Sequence, residues 1–186
     1  FPTGGGKSLT FQLPALMAAR ATAGLTVVLS PLQSLMKDQV DNLEKKEIFA
    51  AVTINGLVNL LERKEAFEEI ESGRASLLYI SPEALRSASI VRALEKRRVE
   101  RFVIDEAHCF SAWGHDFRVD YLYIGEFLRE FQERLGRRIP VSCFTATAKA
   151  KVVQDICDYF ERTVGVHLKV FRTSAVRKNL EYQIKH

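Results

Sequence analysis

Near its N-terminus the chain has a segment whose residue types suit phosphate binding, because residues 2–8 read Pro-Thr-Gly-Gly-Gly-Lys-Ser. Glycines let the backbone turn tightly and direct several N–H groups toward one anion, Lys7 adds a point charge for the outer phosphates, and Ser8 can ligate magnesium. A helix opening at Lys7 would direct its positive end to the same place. A glycine-rich turn before a helix is the alternative, and Phe1 departs from the general template, which has glycine there. We expect a phosphate cradle made by Thr3, Gly4, Gly5, Gly6, Lys7 and Ser8.

A second motif, Asp105-Glu106-Ala107-His108, directly follows the apolar run 101–104. Ligands of open parallel sheets bind at the carboxyl ends of strands, so this acidic pair would lie at a binding edge. Asp105 is placed to hold magnesium through water, and Glu106 to orient and deprotonate a water molecule. A solvated acidic loop is the alternative. A cradle, a metal ligand and a water-positioning group together are what nucleotide hydrolysis requires.

The composition is that of an ordinary globular protein. Of the 186 residues, 47% are hydrophobic and 27% are charged. This composition excludes a disordered tail, a collagen-like repeat and a small disulfide-rich protein. The net charge of +4 weakly favours anionic partners. The three cysteines stand far apart in sequence, which favours a reduced compartment. No apolar run is long enough for a membrane helix, and the N-terminus does not read as a signal peptide.

Short apolar runs alternate with longer helical patterns along the chain. Six runs read as strands, at residues 25–29, 51–54, 77–80, 102–104, 141–144 and 167–171. Helical periodicity covers residues 30–46, 60–72, 121–135 and 149–162, with Ser30-Pro31 as an N-cap and Gly73 and Gly136 as stops. Continuous apolar strands indicate burial on both faces. The alternation therefore predicts an α/β fold with a mostly parallel sheet and helices on both faces.

In their order and spacing, these motifs resemble those of superfamily 2 helicases, and specifically of the RecQ family of DNA helicases. Residues 2–8 resemble motif I, 29–40 motif Ia, 79–85 motif Ib, 105–108 motif II and 144–148 motif III. The most diagnostic stretch, residues 109–118 (Cys-Phe-Ser-Ala-Trp-Gly-His-Asp-Phe-Arg), resembles the aromatic-rich loop that marks RecQ enzymes. The resemblance spans essentially the whole chain. It implies the first RecA-like motor domain, a three-layer P-loop fold that uses ATP and Mg²⁺.

The aromatic-rich loop has residue types that suit unpaired DNA. Trp113 and Phe117 lie in a segment too polar to be a strand, and exposed rings stack on unpaired bases without reading sequence. Arg118 could add a phosphate contact or a charge facing the nucleotide. A core Trp is the alternative interpretation.

Other residues resemble positions that couple ATP to DNA. Thr145 and Thr147 could couple motif II to DNA, although one of them could simply cap the next helix. His108 could bridge motif II to that segment. Ser30 and Ser81 could equally be plain N-caps. The whole implied set for DNA binding and coupling is Trp113, His115, Phe117, Arg118, Thr145, Thr147, Ser30, Ser34, Lys37, Ser81 and Glu83.

The resemblance implies a motor that couples ATP hydrolysis to translocation on single-stranded DNA and to duplex unwinding in DNA repair or recombination. The expected catalytic residues are Lys7, Asp105, Glu106 and His108, with Ser8 and Asp105 on the metal. The expected partners are single-stranded and forked DNA and a second RecA-like domain of the same polypeptide, which carries an arginine finger. An RNA helicase of the same superfamily and a nucleotide-binding module without motor activity are the alternatives. A P-loop kinase would want an acceptor site and a lid, for which there is no sequence signal.

We expect residues 1–171 to form the motor domain, truncated at its N-terminus, and residues 172–186 to be a linker toward the second domain. The chain does not begin with Met, which suggests a fragment of a larger helicase. The expected location is the cytoplasm, at the nucleoid, for a bacterial protein, and otherwise the nucleus.

Overall fold

The computed structural model describes residues 6–111, 118–146 and 149–172. Within these ranges five strands form one sheet, namely β1 (Leu25–Leu29), β2 (Ala51–Ile54), β3 (Leu77–Ile80), β4 (Val99–Ile104) and β5 (Val141–Cys143). Neighbouring strands are all parallel, in the order β2-β3-β1-β4-β5. Every residue of β1 and β3 is buried, as expected for central strands covered on both faces.

The described residues also contain six α-helices: α1 (Leu9–Thr22), α2 (Gln33–Glu44), α3 (Leu60–Ser72), α4 (Ala88–Glu95), α5 (Val119–Leu135) and α6 (Ala150–Val164). Short 3-10 turns follow β3 at Pro82–Arg86 and β4 at Ala107–Phe110. The start of α3 is fixed by a capping box between Asn59 and Glu62. Gly73 and Gly136 end α3 and α5 with φ of 87° and 62°, a left-handed conformation that glycine adopts without a Cβ clash.

The helices lie in two layers, one on each face of the sheet. Apolar residues of α1 and α2, such as Phe11 and Met36, pack with Val28 and Tyr79 on one face. Apolar residues of α3, α4, α5 and α6 pack on the other face, where Phe131 is fully buried. The predicted three-layer α/β fold with a parallel sheet is therefore confirmed.

Three details of the sequence prediction are wrong. Ser30 does not cap α2, because the helix begins at Gln33, with Leu32 in the N-cap position. The Ser30 N–H instead donates to Ile80 O and so continues the pairing of β1 with β3. The run 167–171 is not a strand. It has no neighbouring strand to pair with in the described part of the chain, and Phe171 is 80% exposed.

The third error is the omission of α4. This helix has only eight residues, which is too short for a helical repeat of apolar residues to stand out in the sequence. Its buried residues Ile90, Ala93 and Leu94 nevertheless belong to the larger core. No helix of the described residues is long and apolar enough to cross a membrane.

Candidate functional site

The carboxyl ends of β1, β4 and β5 meet at one edge of the sheet. The Asp105 N–H donates to Leu29 O at the end of β1, over 2.8 Å. The Phe144 N–H, just beyond β5, donates to Ile104 O over 2.8 Å, and the Ala107 N–H donates back to Phe144 O over 2.9 Å. Neighbouring strands on both sides therefore fix the backbone that follows β4, at the edge where ligands of parallel sheets bind.

Lys7 lies between the two carboxylates that follow β4. Its Nζ is 2.7 Å from Asp105 Oδ1 and 2.8 Å from Glu106 Oε1, and all three side chains are 16–19% exposed. Burial by itself lowers the pKa of Lys7, but the hydrogen bonds and charges of the two carboxylates outweigh burial and leave that pKa raised. The fold thus unites three predicted site residues, two of them 99 positions apart in sequence.

The backbone of Glu106 has an unusual conformation. Its φ is 47° and its ψ is 45°, the left-handed region in which a Cβ crowds the following carbonyl at a cost of roughly 1–2 kcal/mol. The Glu106 N–H donates to Asp105 Oδ1 over 2.9 Å, which holds this turn. The turn directs the two consecutive carboxylates to the same Lys7 ammonium. Strained backbone of this kind is concentrated at functional sites.

His108 lies between motif II and the end of β5. Its Nδ1 is 3.1 Å from Thr145 Oγ1 and 3.2 Å from Glu106 Oε2. The contact that the sequence suggested for His108 is present, whereas its role in coupling stays a prediction. The N-cap of α6 is Lys149, which makes no side-chain capping bond, so Thr145 is placed against His108 and not at the helix start.

The start of α1 lies beside this cluster. Gly6 has φ of 78°, and the Leu9 N–H donates to Gly6 O over 3.1 Å. Because a helix N-terminus carries partial positive charge, the end of α1 and the Lys7 ammonium together favour an anion here. Thr3, Gly4 and Gly5 of the predicted cradle lie outside the described residues.

The oxygen donors of the site suit Mg²⁺, which prefers hard oxygen ligands and keeps bonds to water and phosphate. No group of three or more Asp, Glu, His or Cys side chains among the described residues could hold a metal alone. Asp105 could supply one carboxylate oxygen. Ser8 makes no side-chain capping bond to α1, so its hydroxyl is not committed to the helix. The Lys7 ammonium between the two carboxylates shows that this site accommodates a cation.

Tyr121 is a positioning residue that the sequence analysis missed. Its hydroxyl donates to Asp105 O over 2.8 Å, and its side chain is fully buried in the core. Burial raises the pKa of this hydroxyl well above its ordinary value, so it stays a neutral donor. A tyrosine on the otherwise apolar core face of α5 was the available signal, since a buried tyrosine hydroxyl usually has a hydrogen-bond partner.

A known protein family matches most of the chain. Residues 1–156 match the family model described as DEAD/DEAH box helicase. The chain belongs to this helicase family. It is 46% identical over 157 residues to the ATP-dependent DNA helicase RecQ of Bacillus subtilis, covering 84% of this chain and 25% of that protein. It is 43% identical over 186 residues to the probable ATP-dependent DNA helicase RecS of the same organism, covering 100% of this chain and 34% of that protein.

These similarities confirm the resemblance to RecQ-family helicases, and the chain spans about a third or less of the relatives it matches. A solved structure has the same fold. The helicase MrfA bound to DNA and AMPPNP aligns with a TM-score of 0.69 at 20% identity, over 92% of this chain and 24% of that one. The chain therefore shares its fold with a helicase of much lower sequence identity than the RecQ relatives have.

Residues 109–118, which resemble the aromatic-rich loop of the RecQ family, are described only at their two ends. Trp113, His115 and Phe117 lie outside the described residues, as does Thr147. At one end, Ser111 is fully buried, and its Oγ donates to Asp155 Oδ2 over 2.6 Å. At the other end, the Arg118 N–H donates to Cys109 O over 3.1 Å. Ser111 and Arg118 are therefore both held next to the residues of motif II.

The residues that the helicase resemblance places along a DNA path differ in exposure. Ser34 and Lys37 are exposed on α2, and Glu83 is exposed on the 3-10 turn after β3. Ser30 and Ser81 follow the adjacent strands β1 and β3 but are only 4% and 5% exposed. Ser81 precedes the 3-10 turn without a side-chain capping bond. Contact of these five residues with DNA stays a prediction.

Proposed function

We propose that this chain is the ATP-hydrolysing part of a DNA helicase of the RecQ type. The observation that carries the proposal is the meeting of the Lys7 ammonium with the Asp105 and Glu106 carboxylates at 2.7 and 2.8 Å. The cluster joins the start of α1 to the carboxyl end of β4. A phosphoryl-transfer site needs a phosphate-binding cation, a metal-binding carboxylate and a group that positions water, and this cluster contains all three types.

Each residue of the cluster has a distinct proposed role. Lys7 would turn from the two carboxylates to the outer phosphates of ATP, whose negative charge its ammonium would offset. Glu106, freed from Lys7 on one oxygen and next to His108 on the other, would accept a proton from the attacking water. Ser8 and Asp105 would hold Mg²⁺, which when bound neutralises phosphate charge.

DNA is the proposed substrate. The relatives at 46% and 43% identity are both named DNA helicases, which favours DNA over RNA. The net charge of +4 suits a polyanion. Trp113 and Phe117 would stack on unpaired bases. No observation favours the RNA helicase, the kinase or a nucleotide-binding module without motor activity.

A second RecA-like domain is the proposed partner within the same polypeptide. It would supply an arginine finger, which contributes about 10³–10⁵ in rate in well-studied phosphoryl-transfer enzymes. The 186-residue chain alone is therefore expected to hydrolyse ATP very slowly and to unwind no duplex. Robust DNA-stimulated turnover by this chain as a monomer would contradict the proposal.

The test separates nucleotide binding from hydrolysis in the full-length protein. Lys7→Ala removes the phosphate-binding charge and should lose both ATP affinity and turnover. Glu106→Gln keeps the side-chain shape and should retain ATP binding while losing turnover, with or without single-stranded DNA. Lys64→Ala is the matched control, because Lys64 is 75% exposed on α3 and should behave as the parent protein. Equal loss of ATP affinity in Lys7→Ala and Glu106→Gln would show that Glu106 does not have the proposed role.

A further inference from the structure

Strand β2 is an edge strand whose outer side is open. It pairs with β3 on one side, and no other strand of the described residues lies against its opposite side. Ala50 O accepts from the Ser76 and Leu77 N–H groups on the β3 side. Successive residues of a strand turn their N–H and C=O groups to alternate sides, so those of Ala51 and Thr53 face the open edge. Unpaired groups of this kind are a template for an added strand.

A groove of about 710 Å³ runs along this open edge, between α2 and α3. Its apolar lining includes Phe49, Val52 and Val58, and Phe49 is 72% exposed. Edge strands are commonly protected by proline, by a bulge or by lysine. The sequence Ala-Val-Thr-Ile of β2 has no proline or lysine, and its pairing with β3 is regular over all four residues.

Carboxylates dominate the rim of the groove. Five acidic residues line it, Asp41, Glu44, Glu62, Glu65 and Glu69, against two basic residues, Lys37 and Arg74. Arg74 is paired with Glu69, and Glu62 belongs to the capping box of α3. The carboxylates of the other three form no ion pair with any residue that the structure describes. Two copies of this rim would repel each other, which argues against pairing of β2 with a second copy.

The carboxylates lie on both faces of the position that an added strand would take. Asp41 and Glu44 belong to α2, which packs on one face of the sheet, and Glu65 belongs to α3, which packs on the other. Side chains of a strand alternate between the two faces. A strand added to β2 would therefore meet carboxylates with its odd and its even residues alike.

We propose that the open edge of β2 binds an extended peptide segment rich in lysine or arginine, which adds to the sheet as a further strand. Main-chain hydrogen bonds to Ala51 and Thr53 would give the added strand its affinity, and the carboxylates on both faces would select for positive charge. The site is separated from the Lys7 cluster by β3 and β1. It is therefore a different site from the one proposed for the nucleotide.

The experiment uses a fluorescent ten-residue peptide with a Lys-Lys-Val repeat, which puts lysine on both faces of a strand. A Glu-Glu-Val peptide is the matched control. Fluorescence anisotropy at low salt should show saturable binding of the basic peptide to the purified chain and none of the acidic one. Equal binding of both peptides, or binding of neither, would overturn the proposal.

Backbone methylation of the basic peptide tests strand addition. N-methyl groups on alternate residues block one edge of the peptide and leave the other free to pair, so binding should survive. N-methyl groups on all central residues block both edges and should abolish it. Equal affinity for all three peptides would show attraction by charge alone and would contradict an added strand.

Charge reversal on the protein locates the site. Glu44→Lys with Glu65→Lys should weaken binding of the basic peptide about tenfold. Asp38→Lys with Glu68→Lys changes the net charge equally on the same two helices but outside the groove, and should change affinity less than twofold. If the charge-reversed protein fails to fold, the neutral variant Glu44→Gln with Glu65→Gln replaces it. This variant should weaken binding about threefold. Self-association of the chain that the groove variant removes would instead make this edge an interface between copies and refute the proposal.

Discussion

Ser111 Oγ donates to Asp155 Oδ2 over 2.6 Å and so ties the end of the segment after motif II to α6. Ser111 is completely buried, whereas the Asp155 side chain is 24% exposed and also pairs with Lys151 over 3.1 Å. The hydrogen bond from Ser111, followed by the charge and hydrogen bond of Lys151, lowers the pKa of Asp155. The entry to the aromatic-rich segment is thereby held by a charged acceptor on a neighbouring helix.

Asp155→Asn should destabilise the protein at neutral pH by about 1 kcal/mol, less than a fully buried charged hydrogen bond because Asp155 is partly solvated. Asn keeps the shape but loses the charge that strengthens the Ser111 bond. The free energy of unfolding, from urea titration at pH 7, measures the loss. Asp158→Asn on the same helix is the control, since Asp158 accepts from Gln154 on the exposed surface. Equal losses of stability in both variants would mean that the Ser111 bond contributes no more than the exposed bond from Gln154.

The same variant has a defined pH dependence. The pKa of Asp155 is lower in the folded state, so its stabilisation is present above the unfolded pKa, about 3.9. It is lost as pH falls through the folded value. The stability difference between parent and Asp155→Asn should therefore be constant from pH 7 to about 5 and should shrink below about pH 4. A difference that grows on acidification would contradict this sign.

The left-handed backbone of Glu106 predicts an unusual order of stability between two variants. Glu106→Ala and Glu106→Gly both remove the carboxylate, but only glycine relieves the Cβ crowding at φ 47°. Glu106→Gly should therefore be more stable than Glu106→Ala by about 1 kcal/mol, the reverse of the usual order within regular structure. Thermal melts of the two variants decide it. A more stable Glu106→Ala would show that the turn relaxes when the carboxylate is lost.

Much of the sheet could be predicted because its signals are local. The bounds of β1, β2 and β3 agree with the apolar runs in the sequence, since buried parallel strands are short and continuously apolar. The bounds of α3 agree as well, because a capping box and Gly73 fix both of its ends. Two of the failures lie where tertiary pairing decides. Ser30 resembles an N-cap but pairs with β3, and the run 167–171 has no strand beside it in the part of the chain that the structure describes.

Gly125→Ala tests the close contact between α5 and α6. Helix propensity alone would predict that alanine stabilises this position. A Cβ at this position of α5 would lie 2.7 Å from Tyr159 Cζ and 2.9 Å from Thr163 Cγ2. Tyr159 cannot move freely, because its hydroxyl accepts from the Gly125 N–H and donates to Leu122 O. Although alanine favours a helix by up to about 1 kcal/mol, the overpacking should dominate and destabilise the protein by about 1–3 kcal/mol.

A double-mutant cycle supplies the control for Gly125→Ala. Tyr159→Phe removes the hydroxyl nearest the added Cβ, so the double variant should lose less stability than the sum of the two single losses. Urea unfolding of the four proteins measures the coupling. Additive losses would place the cost of Gly125→Ala outside the contact with Tyr159.

The candidate site was predictable in its residue types but not in its contacts. Lys7, Asp105 and Glu106 belong to motifs whose chemistry is recognisable in the sequence, and a parallel sheet brings strand ends to one edge. The hydrogen-bond partners of Tyr121 and Asp155 were not predictable. Tyr121 and Asp155 lie on helical patterns that fit α5 and α6 without any polar role, and only tertiary packing brings their polar groups to Asp105 O and Ser111 Oγ.

The last prediction concerns Trp113, which lies between the anchored residues Ser111 and Arg118. Because Ser111 is joined to motif II by the 3-10 turn Ala107–Phe110, a ligand that fixes the segment after Ser111 could also fix Glu106. DNA would then stimulate ATP hydrolysis by favouring the active arrangement, provided that the segment binds DNA better in that arrangement. Stacking of one base on Trp113 would contribute about 1–3 kcal/mol.

In the full-length protein, Trp113→Ala should lose DNA-stimulated ATPase activity and duplex unwinding while keeping DNA-free hydrolysis, because no catalytic group is removed. Total DNA affinity should fall less, since phosphate contacts supply most of it. If Trp113 instead fills the core, the substitution should destabilise the protein by about 3–5 kcal/mol and abolish all activities together. A thermal melt beside ATPase assays with and without single-stranded DNA distinguishes the two outcomes. Phe171→Ala is the control, because Phe171 is an aromatic residue that is 80% exposed and its loss should leave DNA stimulation unchanged.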